Sequence, residues 1–177
     1  MQKYKQLKSA ICENGHKLST TLKPEEKHTA KFCPQCGGKV LDKCEYCNTF
    51  IPGGTLKIKK ITSLVDRAYS YETESRYEAT YPTPNFCISC GKPYPWTQKF
   101  LENYQLLLDL SSDEVDENLR KIILNSTQNL LKDNFSKNSI HILILKKAFA
   151  GLSEVTKAIF INSMVSFGGD AIKNLFK

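Results

Sequence analysis

Seven cysteines and one histidine fall in four close pairs along the first half of this chain: Cys12/His16, Cys33/Cys36, Cys44/Cys47 and Cys87/Cys90. No cysteine is left over. A Cys-x-x-Cys pair lets the backbone turn tightly enough for both thiolates to face one ion at about 2.3 Å. The residue after the second cysteine must then enter the left-handed region. Gly37 and Gly91 supply it freely, and Asn48 is the usual substitute. Eight soft donors make two closed tetrahedral sites, so two structural Zn²⁺ ions are the expected cofactors. Disulfides are the weaker reading. Three pairs plus a histidine do not resemble a redox motif, and the start of the chain lacks the apolar run of a signal peptide. The expected compartment is the cytoplasm, where thiols stay reduced.

Two ligations fit the spacing. In the sequential form Cys12, His16, Cys33 and Cys36 hold one ion, and Cys44, Cys47, Cys87 and Cys90 hold the other. In a cross-braced form the first pair joins the third and the second joins the fourth. The sequential form is the expectation, because each half then reads knuckle, hairpin, knuckle, with a short strand at 39–43 between them.

The fold class this implies is small α+β: tandem zinc ribbons of short antiparallel hairpins over 1–97, then a helical region over 98–177. The ribbon module carries a long insert at 48–86. Strands are expected at 9–11, 17–22 and 55–61 from their alternation. From Gln98, apolar residues recur at three and four: Phe100, Leu101, Tyr104, Leu107 and Leu108. Thr97 is the expected cap of that helix. Ser111-x-x-Glu114 matches a capping box for the next, which fades near Asn125. Ser136 or Ser139 should cap a third. The stretch 152–176 is apolar round most of its circumference and flanked by lysines. Its longest uncharged run is too short to span a bilayer.

Composition narrows the function classes. The formal net charge of +7 counts the cysteines as neutral. Seven thiolates around two Zn²⁺ ions bring it to about +4, far below a nucleic-acid footprint on charge alone. Lys57, Lys59, Lys60, Tyr69 and Tyr71 form the one basic aromatic stretch that suggests nucleic-acid contact, although Glu72, Glu74 and Glu78 stand among them. Tyr94 and Trp96 are expected to pack the ribbon against the helices. No nucleophile–base set and no phosphate-cradling loop stands out, and a four-ligand zinc has no open position, so the chain reads as no enzyme, with no small-molecule substrate. His28 and His141 read as a loop residue and a structural residue.

The run Cys87-Ile88-Ser89-Cys90-Gly91-Lys92-Pro93-Tyr94-Pro95-Trp96-Thr97, with Cys12-Glu13-Asn14-Gly15-His16 and the two middle pairs, resembles an uncharacterised bacterial family of double zinc-ribbon proteins, catalogued as a domain of unknown function. The resemblance covers nearly the whole chain. It implies two zinc sites, a bacterial cytosol and a helical C-terminal region ending in an apolar, lysine-flanked segment. The tyrosine-rich insert between Cys47 and Cys87 is longer than the family pattern. The resemblance carries no activity. The function expected is a non-catalytic scaffold that meets another protein or its own copy. Nucleic-acid binding through 55–81 and peripheral membrane contact through 152–176 are the alternatives.

Overall fold

The computed structural model describes residues 3–62, 70–77, 81–168 and 170–176. It divides the chain into two compact units, Met1–Trp96 and Thr97–Lys177.

The first unit is built on an antiparallel sheet. Its strands are β1 (Lys3–Cys12), β2 (Lys17–Leu22), β3 (Val40–Leu41), β4 (Pro52–Thr62) and β5 (Ser70–Tyr77). They lie in the order β2-β1-β4-β5, with β3 also paired to β1. Strand β1 is therefore central, and far longer than its sequence suggested. Residues Leu7 to Cys12 are all buried, including Lys8 and Ser9. Those two polar side chains are tolerated because each finds a partner. Lys8 Nζ lies 2.6 Å from Asp42 Oδ2, and Ser9 Oγ donates to the Pro52 carbonyl at 2.9 Å. Strand β3 is shorter than the expected 39–43. Lys43 instead forms an isolated bridge with Phe50 at the start of the next knuckle.

Strand β4 begins at Pro52, before the expected Thr55, because the irregular register after Gln6 lets Lys8 pair with Pro52. The next residue, Gly53, is the tightest point of the sheet. A methyl group on it would overlap the Thr20 carbonyl oxygen and lie 2.7 Å and 2.8 Å from the carbonyl carbon and oxygen of Lys8. These are backbone atoms of β1 and β2 and cannot swing aside. Gly53→Ala is expected to destabilise the first unit by about 2–3 kcal/mol, the upper part of the usual overpacking range. Urea unfolding followed through Tyr94 and Trp96 absorption checks it; an unchanged midpoint would show that the strands can separate at no cost.

The second unit contains α1 (Pro95–Leu110, whose first two residues precede the division), α2 (Glu117–Lys132), α3 (Ile140–Phe149), α4 (Glu154–Gly168) and α5 (Asp170–Leu175). Phe100, Tyr104 and Leu108 recur every four residues on α1 and are buried. A row of rings follows from that seam. Phe100 stacks on Phe167 at 4.3 Å, Tyr104 meets Phe160 at 5.6 Å, and Phe149 stacks on Phe160 at 5.8 Å. Such pairs add roughly 0.5–1.5 kcal/mol each beyond area burial. The stretch 152–176 is two helices, α4 and α5. Phe160, Met164, Ile172 and Leu175 are in the core, while Val155 and Ile159 remain exposed. No helix among the described residues is long and apolar enough to cross a membrane.

Several helix boundaries differ from expectation. Helix α1 starts at Pro95, where the missing N–H costs nothing, and Thr97 is buried inside it. Helix α2 is capped by Asp116, whose carboxylate accepts from the Leu119 amide at 2.8 Å, and it continues past Asn125 to Lys132. Ser139 precedes α3, but its hydroxyl donates to Asp133 instead of capping its own helix. Glu114 closes no capping box with Ser111. It accepts hydrogen bonds from the Ser153 amide (2.7 Å), the Ser153 hydroxyl (2.9 Å) and the Thr156 hydroxyl (2.8 Å), all at the start of α4.

These three donors, the Ser153 amide foremost, hold the Glu114 carboxyl below its ordinary value of 4.5. A depressed carboxylate contributes stability above its unfolded pKa and loses it as pH falls through the folded one. Protection of the first-turn amides of α4 is therefore expected to be full above pH 4.5 and to fall at more acid pH. Glu114→Gln should flatten that dependence. Hydrogen exchange read residue by residue checks it, and an identical acid profile in the variant would remove Glu114 from the role.

Candidate metal centres

Each metal pair sits in a turn that the backbone closes before any ion is considered. The Gly37 amide donates to the Cys33 carbonyl at 2.8 Å, Asn48 to Cys44 at 2.9 Å, and Gly91 to Cys87 at 2.9 Å. These three residues have φ of 70°, 58° and 69°. The left-handed positions read from the sequence are thus all used. An isolated bridge then closes each knuckle: Phe32 with Lys39, Lys43 with Phe50, Phe86 with Pro93. The fourth pair is made by the β1–β2 turn, where the Gly15 amide donates to the Cys12 carbonyl at 2.8 Å.

The turns bring the eight residues together as two tetrads. Cys12, His16, Cys33 and Cys36 form one, and Cys44, Cys47, Cys87 and Cys90 the other, with all ligand atoms of a tetrad within 4.8 Å of one another. The grouping is sequential rather than cross-braced. In the first tetrad Cys12 Sγ lies 3.7 Å from Cys36 Sγ, and His16 Nδ1 lies 3.5, 3.7 and 3.3 Å from the sulfurs of Cys12, Cys33 and Cys36. In the second, Cys44 to Cys90 is 3.7 Å and Cys47 to Cys87 is 3.5 Å. A tetrahedron with metal–sulfur bonds of about 2.3 Å and metal–nitrogen bonds of about 2.05 Å has edges of about 3.8 Å (S···S) and about 3.6 Å (S···N). The distances match those edges. They are far from the roughly 2.05 Å of a disulfide, and all seven cysteines are free.

Donors around the sulfurs favour thiolates. The Asn14 side-chain amide donates to Cys36 Sγ at 3.3 Å and, with the Gly38 amide, holds that thiol down to about 6. Thr49, through its hydroxyl 3.2 Å from Cys47 Sγ and through its amide, holds Cys47 at about 6. Burial pushes the Cys12 thiol up, against the Asn14 and His16 amides. Cys36 in the first tetrad, and Cys47 and Cys87 in the second, are therefore the thiols that the protein's own donors hold down. Ionising all of them at these distances requires a cation, and these soft donors fit one.

Tyr94 and Trp96 lie within the first unit. Their rings stack at 4.7 Å, and the indole nitrogen donates to the Pro84 carbonyl at 3.0 Å. The indole also lies under Gly15, while burial and the neighbouring Cys87 sulfur push the Tyr94 phenol up. This stack reaches from the turn of the first tetrad to a ligand of the second. Sequence reasoning did not find that link, since no spacing signals it. Lys57, Lys59 and Lys60 fall in β4, and Tyr71 in β5. The register sets Lys60 opposite Glu72 and Ile58 opposite Glu74. Tyr69 lies outside the described residues. The structure brings His28 to the wall of a cavity beside His16 and Cys33, not into either tetrad.

Fold and sites define a small α+β protein with two Cys/His tetrads, each able to hold a metal ion. The chain belongs to the family described as "Uncharacterized protein conserved in bacteria (DUF2321)", whose model matches residues 5–174. No curated protein and no solved structure matches it.

Proposed function

We propose that this protein is a non-catalytic binding scaffold held together by two structural Zn²⁺ ions. The observation that carries the reading is the pair of complete tetrads. A Cys₃His and a Cys₄ shell each fill a tetrahedron with protein donors, leaving no position for the water that zinc hydrolysis needs. Amide and hydroxyl donors around the sulfurs fit the same role, because outer-shell hydrogen bonds orient and stabilise thiolate ligands. Cys12, His16, Cys33 and Cys36 hold the first ion; Cys44, Cys47, Cys87 and Cys90 hold the second. Thiolate ligation needs reducing surroundings, which the bacterial cytoplasm provides.

The proposed partner is a protein, in the first instance a second copy. Leu106 and Leu110 on α1, Ile140 and Leu143 on α3, and Val155 on α4 are each more than half exposed. A contiguous exposed apolar patch marks a contact surface, and we take these side chains to form one. The acid residues opposite β4 weigh against a nucleic-acid role for Lys57 to Lys60.

Native mass spectrometry with elemental analysis tests the metals: two zinc ions per chain are expected, lost with a chelator. Iron in the Cys₄ site, or no metal at all, would overturn the zinc reading. Sedimentation of the loaded protein tests the partner. A dimer that Leu110→Asp and Leu143→Asp dissociate is expected, and a monomer at all concentrations would count against self-association.

A further inference from the structure

Each tetrad contributes an aromatic–lysine pair to one shared cavity. Phe32, just before Cys33, bridges to Lys39; Phe50, shortly after Cys47, bridges to Lys43. Residues paired across an antiparallel bridge share a face. All four line a cavity of about 540 Å³ in the first unit, within the usual range for small-molecule sites. The buried Lys8 ammonium lies at its wall, 5.1 Å from the centre of the Phe50 ring, with Lys43 at 5.3 Å.

Charge and shape then select the occupant. The carboxylates lining the cavity are engaged. Asp42 holds Lys8 at 2.6 Å, Glu25 lies 3.8 Å from Lys5, and Glu26 accepts from the Lys23 amide. Lys27, Lys31 and Lys43 line the same cavity without a carboxylate partner among the described residues. Phe32 is 65 % exposed, a large free ring beside these cations. A flat ring stacks on such a face, and an anion sits among ammonium groups that no carboxylate holds. We propose that this cavity binds a mononucleotide-sized molecule in which a planar ring is joined to a phosphate. The ring lies against Phe32 and the phosphate among Lys27, Lys31 and Lys43. This site is independent of the protein partner suggested above.

The test is a titration of the metal-loaded full chain, followed by amide NMR shifts, with adenosine monophosphate, guanosine monophosphate, uridine monophosphate and flavin mononucleotide. Sub-millimolar binding of at least one is expected, with shifts centred on Phe32, Val40 and Asp42. Adenosine and inorganic phosphate should each bind at least tenfold more weakly than the nucleotide. Lys31→Glu and Phe32→Ala should each weaken binding at least tenfold, while Lys137→Glu in the helical unit leaves it unchanged. Both test positions are exposed, so the fold is retained. Failure of all four nucleotides at millimolar concentration overturns the proposal. So does phosphate binding as tightly as a nucleotide, which would make the cavity a plain anion patch. An eight-residue oligothymidylate bound a hundredfold tighter than any mononucleotide would overturn it in favour of a nucleic-acid surface.

Discussion

Replacing Cys44 with serine is expected to unfold residues Met1–Trp96 while the helical unit keeps its own structure. Cys44 is 2 % exposed and stands in the second tetrad with Cys47, Cys87 and Cys90. A hydroxyl there is a poor ligand that does not ionise near neutral pH, so the site drops to three thiolates and its affinity for the ion falls. A structural zinc contributes apparent binding energy of about 10–16 kcal/mol. A whole domain is stable by only about 5–15 kcal/mol. Losing a large part of the first is therefore comparable with the whole of the second. Near-ultraviolet circular dichroism reads the outcome, because Tyr94 and Trp96 stack beside both tetrads. That signal should vanish, and most of the far-ultraviolet helical signal should persist on the aromatic core of α1, α3 and α4. A variant that keeps one ion and its near-ultraviolet bands would show the second site to be dispensable.

The second large effect comes from Asp42. Its partner, the Lys8 side chain, is 3 % exposed, whereas the Asp42 side chain is 28 % exposed. Removing the carboxylate strands a cation in the middle of the sheet, and losing one partner of a buried pair costs about 3–5 kcal/mol. Because Asp42 is partly in water, Asp42→Ala should fall near the lower end, about 3 kcal/mol. The double variant Lys8→Met, Asp42→Ala removes the stranded charge and should recover most of the loss. Denaturant unfolding of the four members of this cycle gives the coupling directly. If the double variant is as unstable as Asp42→Ala, the cost lies in the strand geometry at Asp42 and not in the charge.

The two candidate metal tetrads and their turns were legible in the sequence because chemistry fixes the close pairs at short range. A Cys-x-x-Cys pair followed by glycine or asparagine encodes its own backbone, and the φ values of Gly37, Asn48 and Gly91 follow from residue type. The α+β division was legible for a similar reason, since three-and-four spacing begins at Gln98. Long-range partners were not. Of strand β1 only 9–11 was expected, because the residues before it are basic, and only Asp42, far along the chain, makes Lys8 tolerable inside. Glu114 looked like a local cap from its distance to Ser111. Its partners at Ser153 and Thr156 are set by helix packing. Each of the bridges behind the Phe32 and Phe50 cavity closes its own knuckle, but the placing of the two knuckles around one cavity is signalled by no spacing in the sequence.

The ligand order has a consequence for how the chain is made. The first tetrad is complete once Cys36 has been synthesised, but Cys44 and Cys47 must wait for Cys87 and Cys90. At about 5–20 residues per second, the ribosome takes roughly 2–9 s to cover that interval. During it the nascent chain carries half a candidate site, Cys44 and Cys47 without their partners. Strands β4 and β5 are synthesised in the same interval, between the completion of one tetrad and that of the next. A polypeptide that stalls before Cys90 has the first tetrad whole and the second incomplete.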